Sequence, residues 1–213
     1  MPIRAVVFDV GETLVDETRH WGEWADWLGV TRFAMFAAMG AVIERRWHHR
    51  RVFEIVAPGV DFAAEADKRR AAGWRYRFEP GDFYPDALPC LAALKAEGYR
   101  IGLAGNQPEE AEAALAEAKV PADFIASSAR WGVEKPSRAF FDKVVEAAGV
   151  PAAEIAYVGD RLDNDVLSSA DAGMAAVFIR RGPWGFIQST WPEAARTTHG
   201  IDSLSELAGL LAG

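Results

Sequence analysis

Five short runs of the chain are apolar at nearly every position. They are rich in β-branched and aromatic residues and occupy residues 4–9, 99–104, 124–127, 155–159 and 175–179. A strand that is apolar at consecutive positions is typical of a parallel sheet covered on both faces. We therefore predict five buried parallel strands.

The segments between these runs have apolar residues at helical spacing. Helices are predicted over residues 87–97, 108–118, 137–148 and 163–172, with glycines at 98, 149 and 173 suited to helix ends. A last helix is predicted over residues 203–211, where Ser203 is the cap and Glu206 completes a capping box. Alternating strands and helices predict an α/β fold with a doubly wound parallel sheet.

One region breaks this alternation, because residues 16–82 contain helical patterns and no strand pattern. Pro-Gly pairs at 58–59 and 80–81 punctuate it. It holds eleven acidic and eleven basic residues, so the rest of the chain carries the whole net charge of −8. We predict two domains: a core of residues 1–15 and 83–213, and an inserted helical domain of residues 16–82.

Composition narrows the class of partner. A net charge of −8 argues against nucleic acid, since phosphate backbones attract basic surfaces. No apolar run approaches the ~20 residues that a membrane helix needs, so no membrane partner is expected. Cys90 is the only cysteine, which excludes an internal disulfide. The first residues lead directly into a strand, without a signal-like segment. A cytoplasmic protein is expected, and monomer and homodimer both stay open.

Two predicted strands end in an aspartate. Asp9 follows the first strand, and Asp160 follows the fourth and precedes an acidic helix start that includes Asp165. In an open parallel sheet, ligands bind at the carboxyl edge of the strands. Each aspartate alone is explained by a turn or a helix cap, but two at one edge favour Mg²⁺, which takes few carboxylates and keeps several waters.

Two further segments fit such a site. Lys135 precedes a predicted helix, and its ammonium would offset clustered carboxylates and a bound phosphate. Two like charges 4 Å apart cost about 4 kcal/mol at an effective dielectric of about 20. Gly105 and Asn106 end the second predicted strand, where backbone N–H groups and an amide suit an anion. A solvated lysine and a plain turn are the alternative readings of these two segments.

In this order and spacing, the four segments resemble the four motifs of the haloacid dehalogenase-like hydrolase superfamily. The matching segments are residues 8–14, 103–106, 135–136 and 159–165. The resemblance covers the whole chain, including an insert between the first two motifs. It implies a Rossmann-like core with an all-helical cap, and a Mg²⁺-dependent hydrolase that acts on a small phosphorylated substrate, since most members are phosphatases.

The resemblance also implies roles for individual residues. Asp9 would attack phosphorus and form an aspartyl-phosphate that water then cleaves. The metal would be held by Asp9, Asp160 and the Gly11 carbonyl, with Asp165 close behind and Asp163 or Asn164 as further candidates. Lys135 would pair with Asp9 and with the phosphate, which Gly105 and Asn106 would also bind.

Two positions depart from the family pattern. Gly11 stands where the phosphatases usually carry a second aspartate as general acid and base, and Gly105 stands where they usually carry Ser or Thr. Acid–base catalysis contributes about 10²–10⁴-fold, so alkyl phosphates are expected to be slow substrates and aryl or acyl phosphates less affected. Glu12, the next residue, is a candidate replacement for the missing acid–base group.

These departures keep three alternatives open. A catalytically weakened relative would bind a phosphorylated ligand or partner, which both glycines favour. A metal-free 2-haloacid dehalogenase also lacks the second aspartate, but that branch typically has Tyr there and lacks the Gly-Asp of the fourth motif. A phosphonate-cleaving relative would need a lysine in the insert, and Lys68 is the only one there.

Overall fold

The computed structural model describes residues 2–212 and contains one six-stranded sheet. Its strands are β1 (Ala5–Phe8), β2 (Arg100–Gly105), β3 (Phe124–Ser127), β4 (Ile155–Gly159), β5 (Ala175–Ile179) and β6 (His199–Ile201). Neighbouring strands are parallel and follow the order β3-β2-β1-β4-β5-β6. The chain therefore winds outward from β1 in both directions, and the predicted α/β class with a doubly wound parallel sheet is confirmed.

Helices connect and flank these strands. Within the described residues they are α1 (Thr18–Leu28), α2 (Arg32–Glu44), α3 (Val52–Val56), α4 (Phe62–Ala71), α5 (Ala87–Ala96), α6 (Glu110–Glu117), α7 (Ser128–Trp131), α8 (Arg138–Ala148), α9 (Leu167–Asp171), α10 (Gly182–Gln188) and α11 (Leu207–Leu211). A π-helical turn, Leu162–Val166, leads into α9. The described residues also form 3₁₀ turns: His49–Arg51, Pro80–Asp82, Ala152–Glu154, Pro192–Arg196 and Leu204–Glu206.

The side chains of β1 explain why both faces of the sheet are covered. Val6 and Phe8 pack in one apolar cluster, and Ala5 and Val7 pack in another, because successive side chains of a strand point to opposite faces. The first cluster draws on α5, α6 and α11, and the second on α8. With all four residues fully buried, β1 is anchored from both sides, and the residue after it is held in a fixed place.

The five predicted strands are confirmed to within about one residue at either end. The strand β6 and the helix α10 were not predicted: β6 has three residues, and α10 contains two glycines and a proline, which weaken a helical pattern. The predicted helix over 163–172 is a π-helical turn followed by a short α9. The capping box of Ser203 and Glu206 is confirmed, although the first turn it caps is a 3₁₀ turn.

The chain divides into two compact units. One comprises the residues up to Asp16 and from Arg77 onward, and holds the sheet; we call it the α/β unit. The other, Glu17–Tyr76, contains α1–α4 and no strand. That it acts as a cap stays a prediction. No single helix among residues 2–212 is long and apolar enough to cross a membrane; α1 and α2 together meet that test of length and composition, but the chain bends by 115° between them.

The helical unit has an aromatic core of its own. The ring of Trp24 packs at centroid distances of 5.1 Å against Phe53 and Phe62. The buried guanidinium of Arg69 lies 4.1 Å from the Trp24 ring centroid and 4.6 Å from that of Trp74. Stacking on aromatic rings allows an arginine to be buried, because its planar guanidinium is only weakly hydrated.

Candidate active site

The sheet has its topological switch point between β1 and β4. The chain runs from β1 to β2 on one side, and β4 lies on the other side of β1. Asp9 directly follows β1 and Asp160 directly follows β4. In open α/β sheets the crevice beyond the carboxyl ends at this point is the usual ligand site. The two predicted aspartates therefore lie on the two strands that flank it.

Lys135 connects the carboxylates of this edge. Its Nζ donates to Asp9 Oδ1 at 2.7 Å and to Asp165 Oδ1 at 2.6 Å. Burial by itself lowers the pKa of Lys135, but the charges of Asp165 and Asp9 outweigh it and hold that pKa well above its usual value. The lysine is therefore a permanent buried cation between two carboxylates that lie 156 positions apart in the chain.

Asp160 completes the group, but no side-chain cation among residues 2–212 forms an ion pair with it. Its Oδ1 accepts a hydrogen bond from Thr13 Oγ1 at 3.3 Å, and its buried Oδ2 has no hydrogen-bond partner among the described residues. Burial, followed by the charges of Asp165 and Asp9, raises the pKa of Asp160 well above the usual range of a carboxyl. Burial also raises the pKa of Asp165 to about 6, although Lys135 opposes that shift.

Asp9, Asp160 and Asp165, which we call the acidic cluster, fit a divalent cation. Each offers a carboxylate oxygen, and the three oxygens lie within 4.8 Å of one another. When all three carboxylates are ionised, as binding of a cation requires, the single ammonium leaves two negative charges, and Asp160 Oδ2 has no hydrogen-bond partner among residues 2–212. Carboxylate oxygens are ligands that Mg²⁺ prefers. The side chains of the fourth segment are thereby separated, because Asp165 joins the cluster while Asp163 pairs with Arg161 at 2.9 Å.

The amide of Asn106 contacts the backbone of Lys135. Its Oδ1 accepts from the Lys135 N–H at 2.8 Å, and its Nδ2 donates to the Lys135 carbonyl at 2.9 Å. Both ends of the amide are used, so Asn106 fixes the loop that carries the buried cation. Its predicted phosphate contact stays a prediction.

Gly105 lies against the carboxylate that follows β1. A Cβ on Gly105 would be 2.5 Å from Asp9 Oδ1, closer than carbon and oxygen can approach. A serine or threonine here is therefore incompatible with the position that Asp9 occupies beside Lys135. Similarly, a Cβ on Gly159 would lie 2.3 Å from Asp165 Oδ2. Both glycines make room for a carboxylate of the cluster.

The turn after Asp9 places the two remaining candidates. Gly11 is half-buried and bridges to Val15, and it brings no side chain to the site. Glu12 is buried, and its Oε2 accepts a hydrogen bond from the Tyr84 hydroxyl at 2.6 Å. The metal role of the Gly11 carbonyl and the proton-transfer role of Glu12 stay predictions.

Sequence reasoning missed three residues that shape the site. Thr13 bonds Asp160, Tyr84 bonds Glu12, and the buried Tyr157 holds its ring centroid 5.6 Å from Lys135 Nζ while its hydroxyl donates to the Ala104 carbonyl. Thr13 lies within the first motif and was within reach of the sequence. Tyr157 lies in an ordinary apolar strand pattern and Tyr84 in the loop before α5, and only the fold brings them to the edge.

The fold and the site together define an α/β protein with a lysine-bridged acidic cluster at its switch point. The sequence profile of the haloacid dehalogenase-like hydrolase family matches residues 3–173. The chain belongs to this family of hydrolases, which the sequence resemblance had indicated.

The individual proteins that match this chain share only modest sequence identity with it. The glyceraldehyde 3-phosphate phosphatase of Methanopyrus kandleri is 37% identical over 108 residues, which are 47% of this chain and 45% of that protein. The corresponding enzyme of Methanothermobacter thermautotrophicus is 24% identical over 208 residues, 83% of this chain and 85% of that protein. The chain spans about half the length of most of the glyceraldehyde 3-phosphate phosphatases it matches.

A solved structure shares the fold over the full length. The L-2-haloacid dehalogenase RSc1362 superposes with a TM-score of 0.72 at 19% identity and covers 100% of both chains. At this identity the likeness concerns the fold alone, and it does not distinguish a phosphatase from a dehalogenase.

Proposed function

We propose that this chain is a Mg²⁺-dependent phosphatase that hydrolyses small phosphate esters or acyl phosphates through an aspartyl-phosphate on Asp9. The observation that carries the proposal is the acidic cluster bridged by Lys135 at the switch point. With its three carboxylates ionised, the acidic cluster with Lys135 carries two net negative charges, which suits one divalent cation. The cluster and the cation together would bind a negatively charged phosphoryl group. The relatives named glyceraldehyde 3-phosphate phosphatase support the substrate class.

The first step is nucleophilic displacement at phosphorus. A carboxylate oxygen of Asp9 forms a bond to phosphorus while the bond from phosphorus to the leaving oxygen breaks, and the electron pair departs with the leaving group. Lys135 remains charged throughout and offsets the negative charge that the phosphate brings to Asp9 and Asp165. Asp9, Asp160 and Asp165 would hold a Mg²⁺ ion, which would supply further charge neutralisation.

The second step regenerates the enzyme. Water cleaves the acyl phosphate, so that inorganic phosphate leaves and the Asp9 carboxylate returns. Gly11 offers no side chain to move a proton in either step. Leaving groups that depart without a proton, such as those of aryl and acyl phosphates, are therefore favoured, because general acid–base catalysis is worth about 10²–10⁴-fold.

The test compares the wild-type chain with Asp9→Asn in an assay with p-nitrophenyl phosphate, with and without Mg²⁺. We expect turnover by the wild type only with Mg²⁺. The isosteric variant should lose several orders of magnitude in turnover, because the amide of Asn does not act as the nucleophile in place of the Asp9 carboxylate. Acid-quenched wild-type protein should also carry one phosphoryl group on Asp9 by mass spectrometry.

Other outcomes identify the competing functions. Phosphate binding without turnover in either form would indicate a protein that binds a phosphorylated ligand. Halide release from a 2-haloacid without added metal would indicate a dehalogenase and would overturn the proposal.

A further inference from the structure

The side chain of Glu12 is confined rather than free in the site. It is only 5% exposed, and the Tyr84 hydroxyl donates to its Oε2 at 2.6 Å. Its backbone has a φ of 54°, in the left-handed region that a residue with a Cβ rarely adopts. A glutamate kept in this conformation needs compensating contacts, and the hydrogen bond from Tyr84 is one of them.

Gly182 forms the other wall of this slot. A Cβ on Gly182 would lie 2.2 Å from Glu12 Oε2 and 2.8 Å from Glu12 Cβ, so backbone packs directly against the side chain. Gly182 itself has a φ of +62°, which favours glycine. The slot is therefore built from two distant segments, one before α5 and one at the start of α10.

Tyr84 is suited to act as a permanent donor. Burial, and then the charge of Glu12, raises the pKa of Tyr84, so its hydroxyl keeps its proton. The guanidinium of Arg181 lies over the face of the Tyr84 ring, 4.4 Å from its centroid. A hydrogen bond to an ionised acceptor is about twice as strong as one between neutral groups.

The turn that contains Glu12 leads directly to the acidic cluster. The Glu12 N–H donates to the Val15 carbonyl at 2.7 Å, which closes the turn, and the next hydroxyl, that of Thr13, donates to Asp160. Arg181 Nη1 also donates to the Thr13 carbonyl at 3.2 Å. The orientation of Thr13, and with it that of Asp160, therefore depends on where the turn is held.

We propose that Glu12 is a positioning residue, held by Tyr84 and Gly182, which fixes the turn so that Thr13 orients Asp160 for Mg²⁺. The inference rests on the metal site of the proposed function. It assigns Glu12 a role other than that of the missing acid–base group, because its carboxylate is engaged with Tyr84 in a closed slot.

The test measures Mg²⁺ binding by calorimetry and p-nitrophenyl phosphate turnover in Tyr84→Phe, with Tyr99→Phe as the matched control. Tyr99 is a half-buried tyrosine that directly precedes β2, at the amino end of the sheet and away from the site. We expect Mg²⁺ to bind about three- to tenfold more weakly to Tyr84→Phe, the scale of the net contribution of one typical hydrogen bond, and with unchanged affinity to Tyr99→Phe.

Two substitutions of Glu12 separate positioning from proton transfer. Glu12→Gln keeps an oxygen that accepts from Tyr84, so we expect it to retain most of the Mg²⁺ affinity and turnover that Glu12→Ala loses. A proton-transfer role predicts the reverse: Glu12→Gln would lose about 10²–10⁴-fold in turnover with unchanged Mg²⁺ affinity.

The outcomes distinguish the two proposals. A wild type that binds Mg²⁺ but hydrolyses nothing contradicts the phosphatase, while the calorimetric comparison still tests the positioning role. Equal Mg²⁺ affinities for Tyr84→Phe and Tyr99→Phe, or a wild type that binds no Mg²⁺, would overturn the inference.

Discussion

Two polar clusters lie in the α/β unit, one half-buried and one buried, and they differ in how well their charges are balanced. In one, Arg181 donates two hydrogen bonds to Asp86, at 2.9 and 2.6 Å, and the same carboxylate accepts from Ser203 Oγ and the Leu204 N–H. In the other, the acidic cluster sets three carboxylates against Lys135 and leaves an Asp160 oxygen without a partner among residues 2–212.

The difference in charge balance indicates that the Arg181–Asp86 pair stabilises the fold and that the acidic cluster binds a ligand. A balanced pair with satisfied acceptors stabilises the fold where it is formed, here by joining α5 to the segment before α11. An unbalanced cluster costs stability, because burial of an uncompensated charge is unfavourable. Proteins retain such clusters where a ligand supplies the missing charge, and perturbed carboxyl pKa values are typical of functional sites.

Removing the ammonium of Lys135 from the acidic cluster should have a larger effect than any change to the Arg181–Asp86 pair. We expect Lys135→Met to abolish turnover and, without Mg²⁺, to lower the free energy of unfolding by about 3–5 kcal/mol, the usual cost of leaving a buried charge uncompensated. Chemical denaturation with and without Mg²⁺ measures it, and Mg²⁺ should restore part of the loss.

The control for this prediction is Lys143→Met. Lys143 pairs with Glu146 at 2.8 Å on the surface of α8, with the two side chains 46% and 71% exposed, and such pairs contribute little. Equal destabilisation by both substitutions would show that the acidic cluster imposes no special charge requirement.

A site residue could be predicted from the sequence where a local pattern or a motif places it, but not where its contacts join distant loops. Asp9 and Asp160 were predicted together because parallel strands end at one edge, whatever the details of packing. Lys135 was predicted from charge balance and from its motif. The Asn106 contact with the Lys135 backbone, and the slot around Glu12, depend on how distant loops meet, and no local pattern records this.

Gly105 leaves no room for a side chain beside Asp9. The family pattern would suggest that Gly105→Ser restores a phosphate contact, but its Cβ would lie 2.5 Å from Asp9 Oδ1. The carboxylate must then move away from Lys135. We expect turnover to fall by about 10²-fold, since a displacement of about 1 Å of a reacting group has that scale of effect.

Gly200→Ser is the control for this substitution, because a Cβ there meets no atom within 4 Å and Gly200 lies on the edge strand β6. Its turnover should match that of the wild type. An increase in turnover for Gly105→Ser would mean that Asp9 has room to move without loss, and the steric argument would fail.

The substitution Asp86→Asn tests the balanced cluster, and we expect it to change stability less than Lys135→Met does. Burial opposes ionisation, but Arg181 and the hydrogen bonds from Ser203 and Leu204 hold the pKa of Asp86 below its usual value of 3.8. At neutral pH we expect the substitution to lower the free energy of unfolding by about 1–2 kcal/mol, because a charge-assisted pair is replaced by a neutral one at a partly exposed site.

The contribution of Asp86 to the free energy of unfolding depends on pH. Because the folded pKa lies below the unfolded one, the stabilisation is fully present above pH 3.8 and is lost as the pH falls through the lower folded value. The stability difference between wild type and Asp86→Asn should therefore close in acid. Asp202→Asn is the control, since Asp202 pairs with the neighbouring Arg180 on the exposed surface. A difference for Asp86→Asn that persists below the folded pKa would assign the stabilisation to packing rather than to charge.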